Sequence, residues 1–305
     1  MKKTVFQVLG AAILFFSGCS PSKPAEKMKV AVGLPPAAAL AELIAGKRME
    51  IICMLPPGRT PHDFAPRTDT VRKSAGAALF LSTGMPFENK IAEFMKGKAA
   101  VCDISRRIKR IEFSDGDAHH HHHDDGDHDE DHDHHGHHHE GSDPHIWLSP
   151  KNAVIMAENI CADLTAADPA GAEYYRKNLE TLRERLLDID RRIAGMLAPY
   201  KGRGFFVYHP AFGYFAEAYG LRQRAIELNG REATPVQLAQ VIKDAKKENV
   251  STVFVQEQFN PGSAKALAGE IGGSVAPLDP LAKNLPENLE KIATALLDGF
   301  RKEKK

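Results

Sequence analysis

Residues 170–200, AGAEYYRKNLETLRERLLDIDRRIAGMLAPY, carry the longest periodic pattern in the chain. Tyr175, Leu179, Leu182, Leu186, Ile189, Ile193 and Met196 recur at spacings of four and three, which sets them along one stripe of an α-helix. The positions between them are mostly Lys, Arg, Asp and Glu, as expected of a solvated face. At 1.5 Å per residue, some 28 residues make a rod of about 40 Å. That is longer than one small lobe needs, so the helix is predicted to run the length of two.

The flanking sequence supports this reading on both sides. Lys29–Leu34 (KVAVGL), Met49–Leu55, Ala78–Ser82 and Ala99–Ile104 read as short apolar strands, alternating with helical segments Pro36–Gly46, Thr68–Ala77 and Phe87–Lys96. Ser149 is a helix cap with Pro150 at the first helical position, opening a helix that runs to about Ala166. After residue 200 the alternation restarts. Gly204–Tyr208, Arg222–Leu228, Ser251–Gln256 and Ser274–Leu278 read as strands. Ala211–Tyr219, a helix from Thr234 to about Asn249, one capped by Asn260-Pro261 and Pro286–Arg301 intervene or follow. The expected fold class is α/β, two doubly wound lobes joined by a long rigid helix. At 305 residues the chain can supply each lobe with a core of its own.

The N-terminus has a different character. Lys2 and Lys3 precede the apolar run Val5–Phe16, which is too short to span a bilayer stably. Phe16-Ser17-Gly18-Cys19 resembles a bacterial lipoprotein signal, which implies cleavage before Cys19, lipidation of that cysteine and an extracytoplasmic mature protein. The expected organisation is a signal peptide at 1–19, a tether at 20–28, an N-terminal lobe at 29–168, the connecting helix at 169–200 and a C-terminal lobe at 201–305. Three cysteines remain, Cys53, Cys102 and Cys161, with no CxxC spacing, and they read as buried thiols.

Charge points to cations rather than nucleic acid. The formal net charge is zero with no basic face, yet residues 115–140 hold ten acids and no Lys or Arg. That stretch, within a loop at 115–142, also holds His119, His120, His121, His122, His123, His128, His132, His134, His135, His137, His138 and His139. With almost nothing apolar to bury, it reads as a solvated loop. Imidazoles and carboxylates suit divalent zinc or nickel, and ligands this interchangeable suit weak binding of several ions rather than one defined site.

Outside the loop there are three histidines, His62, His145 and His209. His62 and His209 follow strands, as does Asp279, and in open α/β sheets ligands bind beyond the carboxyl ends of strands. Three neutral imidazoles and a carboxylate suit tetrahedral Zn²⁺. These residues lie in GRTPHDFAP (58–66), DPHIWLSP (143–150), YHPAFGYFAEAYGL (208–221) and DPL (279–281). From about residue 29 to the C-terminus the chain resembles the zinc-binding proteins of bacterial ABC uptake systems. That resemblance implies a metal buried in the cleft between the lobes, with His62, His145 and His209 as its ligands. Manganese-selective relatives carry Glu at the third position, so His209 favours zinc. Arg59-Thr60-Pro61 and Ala282 depart from the family pattern, which leaves Asp279 the least secure ligand and Glu257 its substitute.

The expected function is therefore an extracytoplasmic zinc receptor, a monomer that delivers Zn²⁺ to an ABC permease. Alternatives are a manganese or iron receptor, a metal-binding surface adhesin, or a zinc hydrolase. The last has no HExxH motif behind it. From the ordinary imidazole value, zinc affinity is expected to fall below about pH 6.5.

Overall fold

The computed structural model describes residues 27–112, 141–227, 233–259 and 261–302. Cys19, the signal and most of the tether, the histidine-rich loop and the Asn260 cap lie outside these residues.

The first lobe is built from β1 (Met28–Val32), α1 (Pro35–Ala45), β2 (Met49–Cys53), α2 (Thr68–Lys73), β3 (Ala77–Ser82), α3 (Pro86–Met95) and β4 (Ala100–Asp103), followed by α4 (Pro150–Ala167). All strands are parallel, in the order β2-β1-β3-β4. Ser149 caps α4 by accepting the Asn152 N–H, with Pro150 at the first position where no donor is needed. α2 stops early because Ser74 Oγ turns back onto the Val71 carbonyl and Gly76 adopts φ +78°.

The connecting helix, α5, spans Ala172–Leu197 between two short 3₁₀ turns. Its 26 residues span about 39 Å. Tyr175, Leu182, Leu186, Ile189 and Ile193 are buried as one stripe, and Leu197 completes it where Met196 was expected.

The second lobe repeats the first lobe's order. It comprises β5 (Gly204–Val207), α6 (Gly213–Tyr219), β6 (Arg222–Ala225), α7 (Pro235–Lys247), β7 (Thr252–Val255), α8 (Gly262–Glu270) and β8 (Ser274–Pro277). Its sheet is also all parallel, β6-β5-β7-β8. α7 opens with the expected capping box between Thr234 and Gln237. The last helix, α9 (Leu285–Lys302), packs along α5 and reaches α1 of the first lobe.

The core is shared rather than divided between the lobes. One apolar cluster runs from Val30, Phe80 and Trp147 through Leu186 of α5 and Leu289 of α9 to Phe205 and Phe212 of the second lobe. A smaller cluster on the other face of the second sheet holds Phe206, Ile226, Val253 and Leu267. Successive residues of β5, Phe205 and Phe206, therefore serve different clusters, as strand alternation requires. A core continuous across both lobes resists a wide hinge, because opening would expose packed apolar surface.

The three described cysteines are free. Burial pushes the Cys53 and Cys102 thiols up to about 11, so neither is a reactive thiolate at neutral pH.

Candidate metal centre

Every strand of the second sheet delivers a polar residue at its carboxyl end. His209 lies two residues past β5, Glu227 two past β6, Gln256 and Gln258 just past β7, and Asp279 two past β8. Gln256 grips the His209 backbone from both sides. Its Oε1 accepts the His209 N–H at 3.2 Å, and its Nε2 donates to the His209 carbonyl at 2.7 Å. Phe259 stacks on the His209 ring at 5.0 Å and 17°.

The first lobe supplies the other two imidazoles. His145 sits at the head of a 3₁₀ turn, Ile146–Leu148, directly before α4. Trp147 anchors that turn across the cleft by donating from its indole Nε1 to the Pro280 carbonyl at 2.7 Å. His62 comes from the long loop after β2, with its N–H donated to Thr60 Oγ1 at 3.3 Å.

The three Nε2 atoms converge. His62 is 3.1 Å from His145 and 3.0 Å from His209, and the last two are 3.4 Å apart. Tetrahedral Zn²⁺ with bonds of 2.0–2.1 Å needs ligand nitrogens about 3.3 Å apart. The apices are thus spaced for zinc with little rearrangement.

The hydrogen bonds assign the tautomers. Asp143 Oδ1 accepts both the His145 N–H and the His145 ring Nδ1–H, each at 2.8 Å. Glu227 Oε2 accepts from His209 Nδ1 at 3.1 Å. Both rings consequently present bare Nε2 lone pairs to each other, and at most one of the three apices, on His62, can carry a bridging proton. Facing lone pairs repel unless a cation lies between them. A carboxylate behind each ring also raises its basicity toward metal.

Electrostatics resist protons in the same place. Burial and the neighbouring imidazoles hold His145 and His62 well below the ordinary value of 6.5. His62 remains exposed as a residue, but its Nε2 faces the two buried rings. The affinity loss expected below about pH 6.5 is therefore displaced to lower pH for these two ligands. Burial raises Asp143 to about 7, and the His145 backbone N–H that it accepts, with the His209 and Arg110 charges, offsets only part of that desolvation.

Among the described residues the structure brings together His62, His145 and His209 as one potential metal group, and neither Asp279 nor Glu257 belongs to it. Asp279 Oδ1 accepts the Leu281 N–H at 2.8 Å, and its carbonyl accepts from Asn288 Nδ2 at 2.7 Å. Glu257 is exposed. The cleft around the group, lined also by Thr60, Gln258, Phe259 and Leu281, leaves about 10 Å³, room for one water-sized occupant.

Sequence reading overlooked the groups behind the imidazoles. Asp143 was in view within DPHIWLSP, two residues before His145, where a carboxylate can reach the ring. Glu227 lies 18 residues from His209 with no local pattern to mark it.

Gly213 is the close approach that lets Asp143 in. A Cβ there would stand 2.3 Å from Asp143 Oδ2. Gly213→Ala is expected to displace Asp143, rotate His145 and weaken zinc binding roughly 10–100-fold, as loss of a carboxylate behind a ligating imidazole does. Chelator competition would measure it, and undiminished affinity would show that Asp143 does not orient the ring.

The comparisons with known proteins fit this geometry. A family model described as zinc-uptake complex component A, periplasmic, matches residues 30–299. The chain belongs to this zinc-uptake component family. That family is one of binding components of uptake complexes, not of enzymes, and it is periplasmic. The zinc-binding protein AdcA of Streptococcus pyogenes is 31% identical over 297 residues, covering 92% of this chain and 56% of AdcA. The chain thus spans about half the length of AdcA. A putative metal-binding protein of Treponema pallidum is 28% identical over 293 residues, covering 94% of this chain and 91% of its own. The crystal structure of ZnuA superposes with a TM-score of 0.79 at 28% identity, over 90% of this chain and 99% of ZnuA. A zinc-bound ZnuA deletion mutant gives 0.78 at the same identity, over 90% of this chain and 98% of its own. Among the described residues no helix is long and apolar enough to cross a membrane.

Proposed function

We propose that this member of the family is an extracytoplasmic receptor that captures Zn²⁺ and hands it to an ABC permease. The observation that carries the reading is the convergence of three Nε2 atoms within 3.0–3.4 Å, two of them held as lone pairs by carboxylates. Three neutral imidazoles rank zinc above manganese, which prefers oxygen donors. The receptor works as a monomer on a lipid anchor at Cys19. Its lobes span 29–168 and 201–305 on either side of the helix at 169–200. His62, the exposed member on the long loop, arrives last and leaves first, so release to the permease needs loop movement rather than a wide hinge.

The histidine-rich loop serves as a weak, multi-ion collector beside the mouth of the site. Its flanks support that placement. Glu112 bridges Ser142, the residue before Asp143, and the Asp143 N–H donates to the Ile111 carbonyl at 2.9 Å. Deleting Asp117–Glu140 is expected to leave one tight zinc per chain while lowering total stoichiometry. Calorimetry of both forms tests this, and loss of the tight site on deletion would overturn the division of labour.

A further inference from the structure

The first sheet has a basic pole. Its four strands are parallel, so their amino ends share one side, opposite the carboxyl end from which the His62 loop departs. Counted with the last residue of each preceding helix, the stretches leading into those strands are residues 27, 45–48, 73–76 and 95–99. They carry Lys27, Lys47, Arg48, Lys73, Lys96 and Lys98 and no acid. Arg48 is paired with Asp168 at 2.7 Å, and the five lysines are exposed. Glu50, Glu93 and Glu173 on the flanking elements are matched by Arg72, Arg176 and Lys177.

Helix carboxyl ends favour cations, and both sheets gather helix carboxyl ends on this side. That cause would act equally on the second sheet. There the corresponding stretches, 200–203, 219–221, 247–251 and 270–273, carry three basic residues and two acids. The excess in the first lobe therefore has another source. Apolar side chains accompany it. Of the six large hydrophobics exposed among the described residues, four lie at this end. Leu43 is in the last turn of α1, Phe94 in that of α3, Val101 near the start of β4 and Tyr174 in the first turn of α5. Lys98 Nζ stands 3.6 Å over the Phe94 ring, and the Tyr174 hydroxyl lies against Gly46. Exposed aromatic rings among lysines suit a bilayer interface, where rings settle at headgroup depth and ammonium groups meet phosphates.

The route of the chain brings this end to lipid. Lys27 lies eight positions after Cys19, a reach of at most about 29 Å. The far pole is remote from it. α5 starts beside the 46–48 turn, where Arg48 meets Asp168 and Tyr175, and runs about 39 Å toward the start of β5. The ten acids of residues 115–140 leave from the site side, since Glu112 bridges Ser142 beside Asp143. We infer that the basic pole of the first lobe docks on anionic lipid headgroups of the membrane that carries the anchor. The receptor then rests on its first lobe with the zinc cleft and the acidic stretch turned away from the lipid. The inference rests on the reading of Cys19 as lipidated.

The test uses the zinc-loaded mature chain from Cys19, with and without its acyl chains. The unacylated chain is sedimented with vesicles of phosphatidylcholine alone or with one part in three of phosphatidylglycerol. It is expected to partition at least tenfold more strongly onto the anionic vesicles and to come off as salt shortens the Debye length below about 5 Å. Each lysine near an anionic surface multiplies attachment about fivefold, so joint Lys47→Glu, Lys96→Glu and Lys98→Glu should weaken it about a hundredfold. Zinc affinity and melting temperature should not change. Joint Lys201→Glu, Lys247→Glu and Lys265→Glu on the second lobe should change partition little. With Phe94→Trp in the acylated chain, brominated lipid should quench the new indole, while Trp147 is buried and stays unquenched. Equal partition onto the two kinds of vesicle would overturn the inference, as would equal losses from the two triple substitutions. A processed chain whose mass shows no acyl group would overturn the anchor reading, and the unacylated vesicle assay would still decide the pole.

Discussion

Replacing His145 by alanine is expected to weaken tight-site zinc binding by more than a hundredfold. The apparent free energy of a four-ligand structural zinc site is roughly 10–16 kcal/mol, so one ligand carries about 3 kcal/mol, which is over two powers of ten. His145 should show the full effect because nothing can take its place. It is 2% exposed, its ring is fixed by Asp143, and its turn is pinned across the cleft by Trp147. His209→Ala should fall as far, since Glu227, Gln256 and Phe259 hold that ring as firmly. His62→Ala should lose less, because an exposed loop residue can be replaced in part by solvent. The measurement is chelator competition in a chain lacking Asp117–Glu140. Equal affinities for parent and His145→Ala would remove the imidazole cluster from the binding site.

Zinc is expected to raise the melting temperature by roughly 10 °C. A ligand present at a thousandfold excess over its Kd stabilises the fold by about 4 kcal/mol, and for a chain of this size each kcal/mol moves the midpoint by about 2–4 °C. Because the site bridges both lobes over a shared core, the shift should appear in one cooperative transition and reverse on adding chelator. Two transitions, only one of them sensitive to zinc, would show that the lobes unfold separately.

The metal-free protein should show its own pH dependence. His62 and His145 are neutral in the fold and protonate at about 6.5 when unfolded, so the stability they contribute is present above that value and lost as pH falls. Asp143 acts in the opposite sense, as does Glu88, buried in the first turn of α3 where it accepts the Thr83, Gly84 and Met85 N–H groups. Burial raises both to about 7 from 3.8 and 4.5, so their contribution is present at low pH and lost as pH rises through about 7. Between roughly pH 4.5 and 6.5 the two pairs offset each other. Below about pH 4 the acids are protonated in both states and only the histidine loss remains. Melting temperatures of the metal-free chain should therefore stay nearly level across the first range and drop steeply below it. A continuous decline from pH 6.5 would mean that the buried acids are not raised.

Much of this molecule is legible from residue order alone. Strand and helix periodicities are local, so the stripe Tyr175–Ile193 and the short runs KVAVGL and GFFV identify the connecting helix and both sheets. The three site histidines are legible for a chemical reason, since few side chains bind zinc and few of those here lie at strand ends. Helix ends were less legible. α2 stops at Lys73 because a serine hydroxyl and a left-handed glycine compete with the backbone ladder, and periodicity carries no trace of either.

What sequence determined, then, is the two-lobed frame and the type of metal donor. What only the tertiary structure decided is which nitrogen of each ring faces the ion and what stands behind it. Those choices depend on Glu227 reaching His209 and on Trp147 reaching Pro280, contacts that join residues 18 and 133 positions apart. They also depend on a glycine whose missing Cβ leaves room for Asp143. Donor type is a property of a side chain, whereas lone-pair direction is a property of the packing around it. That is why residue order can offer Asp279 as a donor without fixing its direction, and in the fold its carboxylate accepts the Leu281 N–H.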